Sequence, residues 1–403
     1  MVTQGRVFVV CAIDTEGPID DARKPEILNS WDRVDALVER LKPKDFRMTT
    51  LDSQGRGLVY SWFILHLTGF KTNPFKRAMG YHAVFDHYLK QHGMNFQDNE
   101  DGIYWHYHHP AVSGIGNEWC RDWTHCTEYY NILSRLVIER NFFPACFRAG
   151  GRIEDDDLSN WIEQWIPFDF SNNSGQVNWD QIESDGKRLG DICDWSRASL
   201  SWRPYHPSAD DYQALGDQKR WMFRCPDLDS PVHQLRDEDI RQAFREAQAG
   251  KDTVLAFFEH DRRDSVIDKI KNVCLRIKQI SDEFREVPWF YTNAKEAAQK
   301  CLGLDVGTLP RFKVSVYGDN RILILGEEPI FGQAPFVCTR GQDVFEQQPV
   351  SAIGQRKWLT GRLDLKLLQK LGVAASNPSG EAGVMVFSYD HDHNSFSPSL
   401  RSD

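Results

Sequence analysis

Short apolar runs of strand length alternate with segments of helical periodicity up to about residue 300. Residues 7–13 are an uninterrupted apolar run, which predicts a buried strand. In residues 30–41, apolar side chains recur at helical spacing behind a serine that can cap the helix. The same patterns predict further strands at 59–67, 102–108, 145–148, 168–170, 253–258 and 287–291. They predict further helices at 80–91, 128–139, 155–164, 237–248, 264–284 and 294–301. Such alternation favours an α/β fold with a parallel sheet, most simply a barrel.

The pattern changes after residue 305, where short strands replace the alternation. Residues 313–317 and 321–325 flank a Gly-Asp-Asn turn, which predicts a hairpin. Further strands are expected at 335–339 and 383–388, with a short helix at 363–371. We therefore predict three parts: an α/β domain over 1–305, a small β-rich domain over 308–390, and a flexible tail over 391–403.

Composition narrows the classes of function. The 403 residues are 41% hydrophobic and 12% aromatic, which suits a packed core. A net charge of −10 disfavours nucleic acid or an anionic membrane as the main partner. We expect no membrane span, no secretory leader and, from nine cysteines without paired spacing, a cytoplasmic protein with reduced thiols. The oligomeric state is left open, with a homo-oligomer as one alternative.

Acidic and histidine side chains follow two of the predicted strands. Side chains two apart on a strand share a face, so Asp14 and Glu16 should leave the first strand side by side. By the same argument His106 and His108 share one face, and His109 lies on the other. Two carboxylates and two imidazoles from neighbouring strand ends suit a divalent metal with an adjacent base.

Four stretches in this order resemble the polysaccharide deacetylase superfamily, carbohydrate esterase family 4. They are residues 13–18, 105–110, 147–151 and 258–261, and the resemblance covers roughly residues 5–300. The resemblance implies a distorted (β/α) barrel and the removal of an acyl group from the nitrogen of an amino sugar or sugar conjugate.

The resemblance also implies roles for individual residues. Asp14 matches the catalytic base, and Arg148 matches the arginine that pairs with that aspartate and orients it. His260 matches the general acid, with Asp169 or Asp261 as the carboxylate beside it. The backbone N–H near Tyr107 would hold the oxyanion.

A divalent metal, zinc by preference, is the implied cofactor. Glu16, His106 and His108 are the expected ligands, with Asp14 or His109 as alternates. Aromatic side chains in the less regular part of the chain are candidates for contacting a sugar; they are Trp179, Trp202 and Tyr205.

Three other interpretations remain. A metal-independent branch of the same superfamily opens cyclic amides and would keep Arg148. A glycoside hydrolase would use paired carboxylates, but Asp14 and Glu16 are too close along one strand for opposed roles about 5 Å or more apart. A non-catalytic carbohydrate-binding or assembly protein would show a degenerate site, whereas all four stretches keep ionisable residues.

Overall fold

The computed structural model describes residues 4–116, 118, 120–175, 180, 182, 188, 193–228 and 235–399. The chain divides into two compact units, each assembled from separated segments. The first unit comprises Met1–Asp122, Cys146–Ser159 and Phe168–Leu304. The second unit comprises Trp123–Ala145, Asn160–Pro167 and Asp305–Asp403.

A curled parallel sheet that forms a half-barrel is the centre of the first unit. Its strands are β1 (Val7–Thr15), β2 (Tyr60–His66), β3 (Gly102–Tyr107), β4 (Cys146–Ala149), β5 (Phe168–Asn172), β6 (Trp221–Arg224), β7 (Thr253–His260) and β8 (Trp289–Tyr291). The spatial order is β6-β5-β4-β3-β2-β1-β7, and β8 pairs with the beginning of β1. The α/β class and the parallel arrangement agree with the prediction from sequence, and the ladder as described is a half-barrel.

Helices connect most of these strands, because parallel pairs need crossover connections. They are α1 (Trp31–Leu41), α2 (Lys44–Arg47), α3 (Ala83–Asp98), α5 (Asp156–Ile162), α6 (Asp237–Gln248), α7 (Val266–Ser281) and α8 (Ala294–Leu302), with α4 described below. In α1 the buried residues are the four at helical spacing that predicted it: Val34, Leu37, Val38 and Leu41. Among the described residues, no helix is both long and apolar enough to cross a membrane.

Alternate positions on successive strands build one core cluster of the first unit. On β1 these positions are Phe8, Val10 and Ala12, and the other strands contribute in the same way. Their partners in the cluster include Phe63, Tyr104, Cys146, Phe168, Phe170, Phe223, Val254, Ala256 and Phe258. Two residues further along, the same face of four strands carries Asp14, His106, Arg148 and His260. The strand alternation that packs the core therefore aims these polar side chains together at the carboxyl ends.

The second unit combines helix α4 (Glu128–Arg140) with two antiparallel sheets. One sheet has the order β13-β14-β10-β9, and the other has the order β12-β11-β15-β16-β17. The strands are β9 (Phe312–Tyr317), β10 (Arg321–Gly326), β11 (Phe336–Gly341), β12 (Val344–Gln347), β13 (Val350–Gly354), β14 (Lys357–Thr360), β15 (Leu368–Ser376), β16 (Ala382–Asp390) and β17 (Ser395–Pro398). The last of these lies within the segment 391–403 for which the sequence predicts a flexible tail.

The helix predicted at 363–371 is wrong. Strand β15 begins at Leu368 and pairs with β11 on one side and β16 on the other. Leu368, Leu371 and Val373 are buried in the core of the two antiparallel sheets. The spacing of the leucines in this segment fits both the helical period and the strand period of two. Hydrogen bonding to strands on both sides favours the strand.

Candidate functional site

Asp14 and Arg148 form a buried ion pair at the carboxyl ends of β1 and β4. Arg148 Nε donates to both carboxylate oxygens of Asp14, at 2.9 and 2.8 Å. Its Nη1 donates to the carbonyl oxygen of Phe170 at 2.7 Å, and the guanidinium lies over the Phe258 ring, 3.4 Å from its centroid. Burial acts to lower the pKa of Arg148, but the Asp14 carboxylate outweighs it and the pKa is raised. The guanidinium therefore stays charged and fixes the orientation of Asp14.

Glu16, His106 and His108 converge beside this pair. The Nε2 atoms of His106 and His108 are 3.0 Å apart, and they lie 3.8 and 3.4 Å from Oε1 of Glu16. Nδ1 of His106 lies 3.0 Å from the carbonyl oxygen of Arg148. That oxygen can only accept, so Nδ1 carries the hydrogen and the Nε2 lone pair faces Glu16 and His108. Burial lowers the pKa of His108 to about 4, so this imidazole is neutral near pH 7. Two imidazole nitrogens and a carboxylate oxygen in this arrangement could hold a divalent metal.

Arg77 belongs to the site, although no pattern in the sequence predicted it. Its Nη2 is paired with Oε2 of Glu16, and both side chains are 2% exposed. Burial acts to raise the pKa of Glu16, but Arg77, His108 and His106 outweigh it, and the pKa is well below its usual range. Arg77 lies in an irregular loop between β2 and α3, where no periodicity predicts its direction.

His260 lies at the end of β7, directly beside Asp14 in the strand register. Its Nε2 is 4.0 Å from Oε1 of Glu16, and its Nδ1 is 3.8 Å from Oε1 of Glu259. Burial, with help from Arg262, lowers the pKa of His260 well below its usual value. The side chain is 14% exposed, against 1% to 4% for Glu16, His106 and His108, so His260 lies on the more open side of the cluster.

Asp261 anchors the end of β1. It accepts the backbone N–H groups of Glu16 at 2.7 Å and Gly17 at 3.2 Å, and the hydroxyl of Tyr88 donates to it. Burial raises the pKa of Asp261 to about 6. The sequence suggested Asp261 as a neighbour of the His260 ring, whereas these contacts hold the backbone that presents Glu16.

Asp169 lies in a different buried cluster from His260. Its Oδ2 is paired with Nη1 of Arg220, which also lies 3.1 Å from Oε1 of Glu154. Burial, together with the charge of Asp169, raises the pKa of Glu154 well above its usual value. The carboxylates that the described contacts bring near His260 are Glu16 and Glu259.

The remaining predicted site residues are packed in the interior. Tyr107 and His109 pair with each other, Oη to Nδ1 at 3.0 Å, on the opposite face of the strand from His106 and His108. Trp202 is 1% exposed and donates its indole N–H to the Asp239 carbonyl at 2.7 Å.

Tyr205 donates its hydroxyl to the Tyr212 carbonyl at 3.2 Å. Trp179 lies outside the described residues. Sugar contacts by Trp202 and Tyr205 remain predictions.

No protein-family model matches the chain, and no curated protein matches it. Among solved structures, a carbohydrate acetylesterase from Xanthomonas citri is matched at 11% identity with a TM-score of 0.16, over 99% of this chain and 81% of that one. A TM-score this low establishes no shared fold.

Proposed function

We propose that this protein is a metal-dependent hydrolase that removes an acyl group, most simply acetyl, from the nitrogen of an amino sugar or sugar conjugate. The observation that carries the proposal is the convergence of Glu16, His106 and His108 beside the Asp14–Arg148 pair. We also propose that the sheet closes into a distorted (β/α) barrel. This closure is supported by the parallel β-bridge between Asp227, just after β6, and Phe258 of β7.

The three proposed ligands fit a zinc-type ion. One donor is a carboxylate, and the other two are imidazole nitrogens of buried histidines. When bound, such an ion polarises the acyl carbonyl and makes a bound water more acidic. Asp14 and His109 remain the alternate ligands, but Asp14 is already held by Arg148 and His109 by Tyr107.

The chain's own residues then divide the proton transfers. Asp14, oriented by Arg148, takes a proton from the attacking water as the water oxygen bonds to the acyl carbon. The carbon–nitrogen bond breaks as His260 gives a proton to the leaving amine. Since burial depresses the pKa of His260, we expect it to gain this proton during the reaction, as the proton that Asp14 took from the water is passed on to its ring. A backbone N–H near Tyr107 stabilises the oxyanion. Asp169, held by Arg220, is proposed as a positioning residue for the end of β4, because it accepts the Ser171 N–H and the Ser171 hydroxyl accepts the N–H of Ala149, next to Arg148.

The test is hydrolysis by the zinc-loaded full chain of a panel of N-acetylated sugars, nucleotide sugars and small glycosides. Released acetate and free amine are both measured. We expect Asp14→Asn to abolish turnover and His106→Ala/His108→Ala to lose the metal as well. Asp264→Asn is the matched control, because Asp264 pairs with Arg40 on the surface at 2.9 Å. Full turnover by Asp14→Asn would refute the assignment.

A metal-independent hydrolase of cyclic amides is the second candidate, and one observation favours it. The Arg77 guanidinium already neutralises the Glu16 carboxylate that a metal would otherwise compensate. This function predicts ring opening of a cyclic amide that is unchanged by chelator, with no metal in the purified protein. A cytoplasmic location, a soluble substrate and the domain limits 1–305 and 308–390 remain predictions from the sequence.

A further inference from the structure

A second group of side chains that could hold a metal ion lies on helices α1 and α3. Oδ1 of Asp35 is 2.8 Å from Nε2 of His87 and 3.0 Å from Nε2 of His92. All three donor atoms lie within 4.8 Å of one another. One oxygen of Asp35, on α1, thus faces the Nε2 atoms of two histidines on α3.

The surroundings hold these rings in place. The indole of Trp31 stacks on the His87 ring, with centroids 3.7 Å apart and an angle of 18° between the planes. The His92 side chain is 1% exposed, and its Nδ1 lies 3.8 Å from Oε1 of Glu39, one helical turn after Asp35. Lys42 Nζ donates to the same Oε1 at 2.6 Å, so the far side of the His92 ring faces a Glu39–Lys42 ion pair.

We propose that Asp35, His87 and His92 form a second divalent-cation site, with Zn²⁺ as the type of ion it takes. Two imidazole nitrogens and one carboxylate oxygen are a ligand set that Zn²⁺ uses, with water completing the coordination. Access is available because the Asp35 and His87 side chains are 27% and 18% exposed. The site does not use any residue of the proposed catalytic cluster, so it stands or falls separately from the proposed function.

An ion at this site would clamp α1 to α3. Ligands on two helices convert a helix contact into a cross-link, and binding to the folded state alone stabilises that state. Holding α3 in place would also stabilise the region beside the candidate active site, because α3 carries Tyr88, whose hydroxyl donates to Asp261.

The experiment uses the full chain in a His106→Ala/His108→Ala background, so that zinc at the first cluster does not obscure the second. Protein stripped with chelator is titrated with Zn²⁺ against a chromogenic competitor. Thermal unfolding is followed with and without Zn²⁺. We expect one equivalent to bind and to raise the melting temperature. Asp35→Asn and His87→Ala should each lose the binding and the zinc-dependent rise. His82→Ala is the matched control, since His82 is an exposed histidine at the start of the same helix.

Asp35→Asn keeps the size and a hydrogen-bond acceptor, so its zinc-free melting temperature reports whether the fold is intact. Zinc binding that survives both Asp35→Asn and His87→Ala would overturn the proposal. Absence of zinc binding in a folded parent would overturn it as well. Loss of zinc from His82→Ala to the same degree would assign the ion to another place on α3 and would also contradict it.

Discussion

Arg77 and Glu16 form an ion pair in the interior, with His106 and His108 on the other side of the same carboxylate. The two oxygens of the Glu16 carboxylate therefore have different neighbours. Oε2 contacts the permanent cation of Arg77, whereas Oε1 lies near two imidazole nitrogens. If a metal binds at Oε1, the carboxylate has a second compensating charge. If none binds, Arg77 alone compensates it.

Arg77→Met distinguishes these situations through stability. Removing one member of a buried ion pair costs about 3–5 kcal/mol, because a charge is left without compensation. We expect that loss in metal-free protein and a clearly smaller loss with Zn²⁺ present, measured by chemical unfolding in both conditions. Lys76→Met, at an exposed neighbouring position, should change little in either condition. Equal losses with and without Zn²⁺ would indicate that Glu16 is not a ligand.

Gly150→Ala tests how residues 147–151, one of the four stretches that carry the family resemblance, shape the site. A Cβ at Gly150 would lie 2.6 Å from Cγ of His108 and 2.5 Å from the carbonyl oxygen of Tyr107. We expect destabilisation of about 1–3 kcal/mol from overpacking and weaker Zn²⁺ binding, because His108 must move. Equilibrium unfolding and zinc titration measure the two effects.

Gly93→Ala is the control for that substitution. Its Cβ would meet Leu89 at an ordinary 3.8 Å within α3, so the change should stabilise the helix by up to about 1 kcal/mol with zinc binding unaltered. Unchanged zinc affinity in Gly150→Ala would show that His108 is not held by this close approach.

Glu154→Gln should change the dependence of stability on pH. Burial and the charge of Asp169 raise the folded-state pKa of Glu154 well above its ordinary 4.5. Between those two pKa values the folded state keeps a proton that the unfolded chain has lost. Stability therefore falls as pH rises through this window, by up to about 1.4 kcal/mol per pH unit.

The glutamine variant lacks that ionisation, so its stability should fall less steeply above pH 5 than that of the parent. Urea unfolding at a series of pH values compares the two slopes. Identical slopes would mean that Glu154 ionises in the folded protein as easily as in the unfolded chain.

Arg148→Lys should lower kcat strongly and leave the affinity for substrate nearly unchanged. Arg148 uses Nε for both oxygens of Asp14 and Nη1 for the Phe170 carbonyl, and a single ammonium cannot reproduce this fork. Misplacing a catalytic group by about 1 Å costs on the order of 10²-fold. Steady-state kinetics should show kcat reduced by about that factor with KM little changed. Arg40→Lys, at a surface ion pair, is the control. A rise in KM alone would instead place Arg148 in substrate binding.

Local sequence pattern was enough to anticipate much of the first unit. The apolar run at β1 predicted its strand, and the period of two predicted that His106 and His108 share a face, which the structure shows. The arrival of Arg148 beside Asp14 was anticipated only through the resemblance to a family, because the two residues are far apart in sequence.

Long-range geometry explains what the sequence left out. Arg77 reaches Glu16 from a loop with no regular period. Asp169 lies between core residues on β5, and no local pattern predicted its pairing with the distant Arg220. The amphipathic pattern of α4 predicted a helix with a buried face, but periodicity identifies a face and not the segment that covers it. The structure places this helix with the C-terminal sheets.

The first strand is synthesised well before two of its partners, β7 and β8. Val7 pairs with Thr253 on one side and Trp289 on the other, while only the later part of β1 pairs with the nearby β2. During translation, an apolar edge of β1 therefore stays unpaired until β7 and β8 have left the ribosome. Such an edge can pair with other nascent chains. Fragments that end before β7 should consequently aggregate, and expression yield should depend on chaperones that shield β1 until β7 and β8 arrive.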